Sequence, residues 1–340
     1  MYLLRNAVLE DLDQIFELSK LHVFLNLPAE KDKIKLIIEK SLHSFTRPST
    51  NLWENNYIFV LEDTKNNKVL GASGIHPQHG TPEEPHFYLK IEEEVKILRS
   101  ETTPYKFKTL RLKYDVDGPT EIGGLVLHPD SRKNTEKLGK QISFVRFLFM
   151  AIYPEKFKPI IHSELLPPFD DEGNSPLWEA LGRKFLKLNY QDADLLSRKD
   201  KNFILDLFPS TSIYQCLLPE DVQKLIGKVG QQTLPVKKML EKIGFKYNGE
   251  VDPFDGGPHL QSPLDQISIV RDKVCGSIKF QSLSDEKESK SFLINLPLND
   301  YHFSAIKVNA IIDQDKIIID KEFEKFFEND KNFKPVAIPF

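Results

Sequence analysis

Leu125-Val126-Leu127-His128-Pro129-Asp130-Ser131-Arg132-Lys133, with Gly139-Lys140 just beyond, is the stretch on which the reading of the fold turns. Residues 121–127 read as a strand that His128-Pro129-Asp130 closes. Residues 134–150 carry Leu138, Ile142, Val145, Phe147, Leu148 and Met150 and read as a long helix. A strand ending in a basic, Gly-containing turn that opens a helix is a ready anion site. The first N–H groups of the helix lack partners, its N-terminus is partially positive, and Arg132, Lys133 and Lys140 add full charges. A pyrophosphate suits such a turn; an ordinary basic surface turn is the other reading. No G-x-x-x-x-G-K-[ST] occurs, so the stretch is not a P-loop.

Upstream, Tyr2-Leu3-Leu4-Arg5 reads as a short strand. Asp11, followed by Leu12, Ile15, Phe16 and Leu18, reads as a helix start, with a break near Leu27-Pro28. Ile34, Leu36, Ile37, Ile38 and Leu42 mark a second helix. Residues 57–61 and 69–75 flank a polar, Asn-containing turn and predict a hairpin. Residues 107–112 are a weaker strand candidate. Downstream, residues 159–161 read as a buried strand. Ser175-Pro176-Leu177-Trp178 has the Ser N-cap and early Pro of a helix start, and a helix over 236–243 stops at Gly244. This order predicts a mixed α/β (α+β) fold. Beyond Cys275 come a polar run (282–291), β-like runs (292–296, 303–310, 336–338) and a charged amphipathic stretch (316–327). That change predicts a small β-rich C-terminal domain, with its boundary near Lys273.

Composition narrows the function. The 340 residues carry 46 Lys+Arg against 50 Asp+Glu, a net charge of −4, without the basic excess of a general nucleic-acid binder. No apolar run approaches the roughly 20 residues of a membrane span, and the first residues lack a signal-peptide layout. Cys216 and Cys275 are too few for a disulfide framework or a four-Cys zinc site. The expectation is a soluble cytoplasmic protein that takes small-molecule substrates, without nucleic-acid or membrane partners.

Val/Leu-x-Pro-x-x-Arg after a strand, with a Gly opening a helix, resembles the acyl-CoA-binding segment of GNAT-type acyltransferases. The turn here is longer than the family's usual two-Gly turn. Further segments resemble the arginine N-succinyltransferase family in order. They include Leu27-Pro28-Ala29, Phe59-Val60-Leu61-Glu62-Asp63, Arg146-Phe147-Leu148-Phe149-Met150-Ala151, Asp171-Glu172-Gly173-Asn174, Leu240-Glu241-Lys242-Ile243-Gly244-Phe245 and, most specific, Phe254-Asp255-Gly256-Gly257-Pro258. The resemblance covers about residues 1–273. It implies tandem GNAT-like units over 1–150 and 151–273, with 274–340 as the C-terminal domain. It also implies that the α-amine of arginine attacks the thioester of succinyl-CoA, with no covalent enzyme intermediate. A homo-oligomer is a reasonable expectation from such relatives.

By the resemblance, Leu125, Val126 and Leu127 meet the acyl-thioester and pantetheine arm, and Arg132, Lys133 and Gly139 meet the pyrophosphate. Gly123 and Gly124 let that arm approach the backbone closely; a simple β-bulge is the other reading. The family's proton-donor histidine precedes a Pro-Gln-Thr segment. The matching stretch here, 227–235, holds Gly230 at that position, and a glycine side chain moves no proton. Three outcomes stay open: an altered acyltransferase, a changed amine or acyl donor, or a non-catalytic acyl-CoA-binding subunit. Restoring the side chain by Gly230→His is expected to raise the rate if the site is otherwise intact. Glu121 is a candidate general base, its alternative being a strand-end surface charge. His259 is a second catalytic candidate, its alternative being a surface loop histidine; Glu164, after the strand at 159–161, is a candidate on a par with Glu121. Lys90 is a candidate for a succinyl carboxylate, and Asp115, Asp171, Glu172 and Asp255 for a guanidinium. The nine histidines look scattered along the chain, and no metal is expected.

Overall fold

A computed structural model of the chain describes residues 1–21, 27–99, 103–197, 200–283, 289–327 and 333–340. His22, one of the nine histidines, lies outside them. The fold is mixed α/β, as expected. The chain divides into two compact units, each assembled from separated stretches. The first takes Met1–Pro77, Thr120–Pro159 and Pro263–Phe340; the second takes Gln78–Pro119 and Ile160–Ser262. This differs from a sequential division at 150 and 273, because strand pairing draws distant segments together.

In the first unit the strands run in the order Val274–Cys275, Val336–Pro339, Lys290–Leu296, Ser304–Asp313, Tyr2–Asn6, Tyr57–Asp63, Lys68–His76, Thr120–Leu127. The C-terminal stretch is β-rich, as expected. Its strands extend this sheet instead of forming a unit of their own: Leu4 pairs with Ala305. The 316–327 stretch resolves into the strand Lys316–Ile319 and a 3-10 turn, Lys321–Phe326. The expected hairpin is present, Tyr57–Asp63 against Lys68–His76. Helices Leu12–Ser19 and Lys31–Thr46 bury Ile15, Leu18, Ile34 and Ile38 against Ile58, Val60, Ala72 and Val126. Helix Leu138–Ile152 is buried nearly all round, as its continuous apolar run requires, and Phe149 meets the rings of Tyr57, Phe59 and Phe303 at 4.8, 5.4 and 5.1 Å. It starts at Leu138 instead of residue 134. Pro129–Ser131 forms a 3-10 turn and Lys137 is left-handed (φ 55°), a conformation that a right-handed helix cannot include.

In the second unit the order is Ile160–Glu164, Pro258–Pro263, Lys246–Val251, His86–Ile97, Pro104–Asp115, Ile213–Tyr214. The weak candidate at 107–112 is part of a twelve-residue strand paired in full register with another, from His86↔Asp115 to Ile97↔Pro104. Charge obscured both strands. Lys106–Glu93 and Lys113–Glu92 ion pairs at 2.8 and 2.6 Å run diagonally between the strands, and Glu93↔Lys108 and Lys90↔Arg111 stand directly opposite, so charges hold positions that apolar residues usually mark. The helix start at 176 agrees with the reading, whereas the helix read over 236–243 spans Leu234–Lys242. The Ser175 hydroxyl accepts from the Trp178 N–H (3.1 Å) and donates to the Phe254 carbonyl (2.9 Å). Among the described residues, no helix is long and apolar enough to cross a membrane.

Candidate active site

In the first unit, Lys68–His76 and Thr120–Leu127 pair regularly at Ala72↔Val126 and again at Gly74↔Gly123. One residue, Ser73, therefore faces two, Gly124 and Leu125. This is a β-bulge, and Gly124 takes φ 59°, which favours glycine. The bulge reading of Gly123-Gly124 is the one the ladder bears out. Ser73, Gly74, His76, Gly123 and Gly124 line a small cleft at the interrupted ladder. Leu125 is half-buried there, while Val126 and Leu127 are buried. Arg146, fully inside, donates to the Gly123 carbonyl at 3.4 Å and to the Ser143 carbonyl and hydroxyl at 3.0 and 2.8 Å. Burial lowers its pKa to about 9, and Glu121 partly offsets this.

Arg132 and Lys133 are exposed, and Arg132 Nε donates to the Leu127 carbonyl at 3.4 Å. Gly139 lies in the first turn of its helix, where N–H groups have no helical acceptor and no acidic side chain competes for them. Glu121 is buried (4% exposed), which overturns the surface-charge alternative. It is the direct cross-strand partner of His76, so the two side chains share a face. His76 is the half-buried cleft residue that sequence reasoning missed. The clue available was that its strand ends there, opposite Glu121.

The remaining candidates lie in the second unit. Lys90 already donates to Glu250 Oε1 and the Asn248 carbonyl, both at 3.0 Å, so its charge is matched. Asp171 and Glu172 are exposed. Burial, then Glu250, pushes the half-buried Asp115 up. Burial, then Asp252, pushes Asp255 well above the carboxylate range, and its Oδ1 accepts the Gly257 N–H at 2.7 Å. Asp255 is therefore already engaged within its own loop.

Asp252 accepts N–H bonds from Phe254 (2.7 Å) and Asp255 (2.9 Å). Burial, then the charges of Glu164 and Asp194, raise it to about 7. An acid with a raised folded-state pKa costs stability as pH climbs from its unfolded value to its folded one. Asp252→Asn keeps the acceptor oxygen and removes the titration. The variant should gain about 1–2 kcal/mol over wild type at pH 8 and little near pH 4. Thermal melts at the two pH values check this; a pH-independent difference would refute it.

Four of the nine histidines come together, contrary to their scattered look. Alternation along Ile160–Glu164 puts His162 and Glu164 on one face, and along Pro258–Pro263 it puts His259 and Gln261 on one face. Glu164 Oε1 lies 3.3 Å from His162 Nε2, 3.6 Å from His86 Nδ1, 3.9 Å from His79 Nδ1 and 3.9 Å from His259 Nε2. His259 is fully buried, not on a surface loop. Burial lowers the pKa of His86 and His259 well below the ordinary value, so both rings are neutral at pH 7. Burial opposes charge on Glu164, but its bond with His162 and the surrounding imidazoles hold it well below the carboxylate range. With His86 and His259 neutral, the His162 bond is the stronger cause.

Gly230 donates its N–H to the Leu166 carbonyl at 3.0 Å, and a Cβ on it would stand 2.9 Å from the Pro167 carbonyl oxygen. Gly230→Ala should therefore cost about 1–3 kcal/mol, read as a lower melting temperature. An unchanged melt would show that the 165–168 backbone yields freely. The rate gain expected from Gly230→His must overcome the same crowding.

The family described as "Arginine N-succinyltransferase beta subunit" matches residues 2–269. Arginine N-succinyltransferase of Yersinia pestis (strain Pestoides F) is 34% identical over 319 residues, 92% of this chain and 90% of that protein. The Photorhabdus laumondii protein of the same name is 31% identical over 296 residues, 86% and 84% of the two. The solved structure of arginine/ornithine succinyltransferase subunit AI from Pseudomonas aeruginosa is similar with a TM-score of 0.84 at 26% identity, covering 100% of this chain and 98% of that one. Since the match runs through the bulged strand, the basic turn and both units, the chain belongs to the arginine N-succinyltransferase family.

Proposed function

We propose that this protein is a cytoplasmic CoA-dependent N-acyltransferase that moves succinyl from succinyl-CoA to the α-amine of arginine. The observation that carries this reading is the bulge at Gly124-Leu125. It interrupts a ladder beside a cleft and lies directly upstream of an exposed basic turn and an uncapped helix start. A pantetheine arm along Leu125, Val126 and Leu127 would leave the pyrophosphate near Arg132, Lys133 and the Gly139 N–H. The amine nitrogen attacks the thioester carbonyl carbon and forms the C–N bond. Glu121, oriented beside His76, accepts the proton the amine loses. Collapse of the tetrahedral intermediate breaks the C–S bond, and the CoA thiolate leaves to take up a proton. His259 belongs to the closed interior of the second unit, and we give it no proton transfer with substrate.

Free-thiol release on mixing purified protein with succinyl-CoA and arginine tests the reading. Release with that pair is expected. Release only with other acyl-CoA and amine pairs would move the specificity, and acyl-CoA binding without turnover for any pair would overturn the enzyme assignment.

A further inference from the structure

We propose that His79, His86, His162 and Glu164 form a binding site for one divalent first-row transition metal ion, with His259 beside it as a fifth nitrogen donor. The four donor atoms of the first group lie within 4.8 Å of one another. Bonds of about 2.0–2.2 Å in a tetrahedral site place donors roughly 3.4 Å apart. Three of the four Glu164–imidazole separations already fall at 3.6 Å or above by no more than half an ångström from that spacing, and the fourth is 3.3 Å. The donor separations, which reach up to 4.8 Å, would have to close by up to about 1.4 Å on a cation.

Two further observations point to a ligand. His259 is fully buried, and neither of its ring nitrogens has a hydrogen-bond partner among the described residues. Leaving such polar atoms unpaired is costly, and a cation at the Glu164 carboxylate, or its bound water, would satisfy the Nε2 that faces it. The Gln261 side-chain amide lies 3.3 Å from His162 Nδ1. With a cation replacing the His162 Nε2–Glu164 hydrogen bond and the amide turned so that its oxygen accepts from Nδ1–H, the Nε2 lone pair is aimed at the centre of the cluster. This is how outer partners usually fix a ligating ring. Three or four imidazoles with one carboxylate select zinc-like ions over magnesium or calcium, which prefer all-oxygen shells. The ion would tie together three segments of the second unit that are remote in sequence: 79–86, 162–164 and 259. The proposal does not rest on the acyl-transfer reading, because a protein inactive toward every acyl-CoA could still bind the metal.

The test strips the purified full chain with a chelator and dialyses it against Zn²⁺ or Co²⁺. One metal per chain, visible absorption of four- or five-coordinate Co²⁺ and a raised melting temperature are expected. Gln261→Ala, which spares every donor, should weaken metal affinity by about 10–100-fold. His162→Ala should weaken it at least as much, and the exposed His302→Ala should leave it unchanged. Substoichiometric metal at saturating Zn²⁺ in a folded protein would overturn the proposal. So would an affinity that neither His162→Ala nor Gln261→Ala alters.

Discussion

Glu121→Gln is expected to lower turnover by about 10²–10⁴-fold, the usual worth of a positioned general base. Glutamine keeps the shape of the side chain but cannot take a proton at neutral pH. KM for acyl-CoA should stay within a few-fold, because the proposed contacts to that substrate lie on residues 124–139. Glu121 also acts electrostatically on the buried Arg146, so a purely structural role must be separated from a chemical one. Loss of a buried counter-charge destabilises the fold and would appear as a lower melting temperature with weaker acyl-CoA binding. Loss of a base removes the acid limb of the pH–rate profile while acyl-CoA binding persists. Turnover within about threefold of wild type would exclude Glu121 as the base.

Trp178→Ala is expected to cost about 3–5 kcal/mol, the range for truncating a large buried aromatic side chain. The indole is 1% exposed and stacks on Phe254, with centroids 4.9 Å apart and planes 6° from parallel. Its N–H donates to the Leu188 carbonyl at 2.9 Å, so truncation opens a cavity and orphans an acceptor at once. The loss should be felt in the loop behind Phe254, where Asp252 and Asp255 bind backbone N–H groups. Denaturant unfolding of the variant, compared with Trp178→Phe, checks this: the phenyl ring should recover part of the loss. A cost below about 1 kcal/mol for Trp178→Ala would mean that the site collapses to fill the void.

Local signals were legible where one element makes its own case. The hairpin at 57–75, the Ser175 cap and the helix behind the basic turn each follow from periodicity or turn chemistry within a few residues. Glu121 and the Leu125 strand could be named as candidates because strand, basic turn and helix are contiguous and the segment resembles the family's. The histidine cluster was hidden for the opposite reason. His86, His162 and His259 are joined only by strand pairing across the second unit, His79 joins from the loop before His86, and no spacing rule links them. The twelve-residue strands were faint because their cross-strand pairs are charged. The role given to Lys90 depended on its being unpaired, and Glu250 lies 160 residues away in the chain. The separate C-terminal domain was inferred from a real change in composition, but composition does not reveal which strand a new strand will choose as neighbour.

The pairing of Tyr2–Asn6 with Ser304–Asp313 has a consequence for how the protein is made. The first strand leaves the ribosome about 300 residues ahead of its partner, an interval of about 15–60 s at typical translation rates. Throughout that time one of its edges has no native neighbour and can template the wrong one. Arg5, which in the folded protein pairs with Asp11 and Glu62 at 2.7 and 2.6 Å, puts a charge within that strand. The period of greatest aggregation risk is therefore set by the speed of translation and not by the stability of the finished fold.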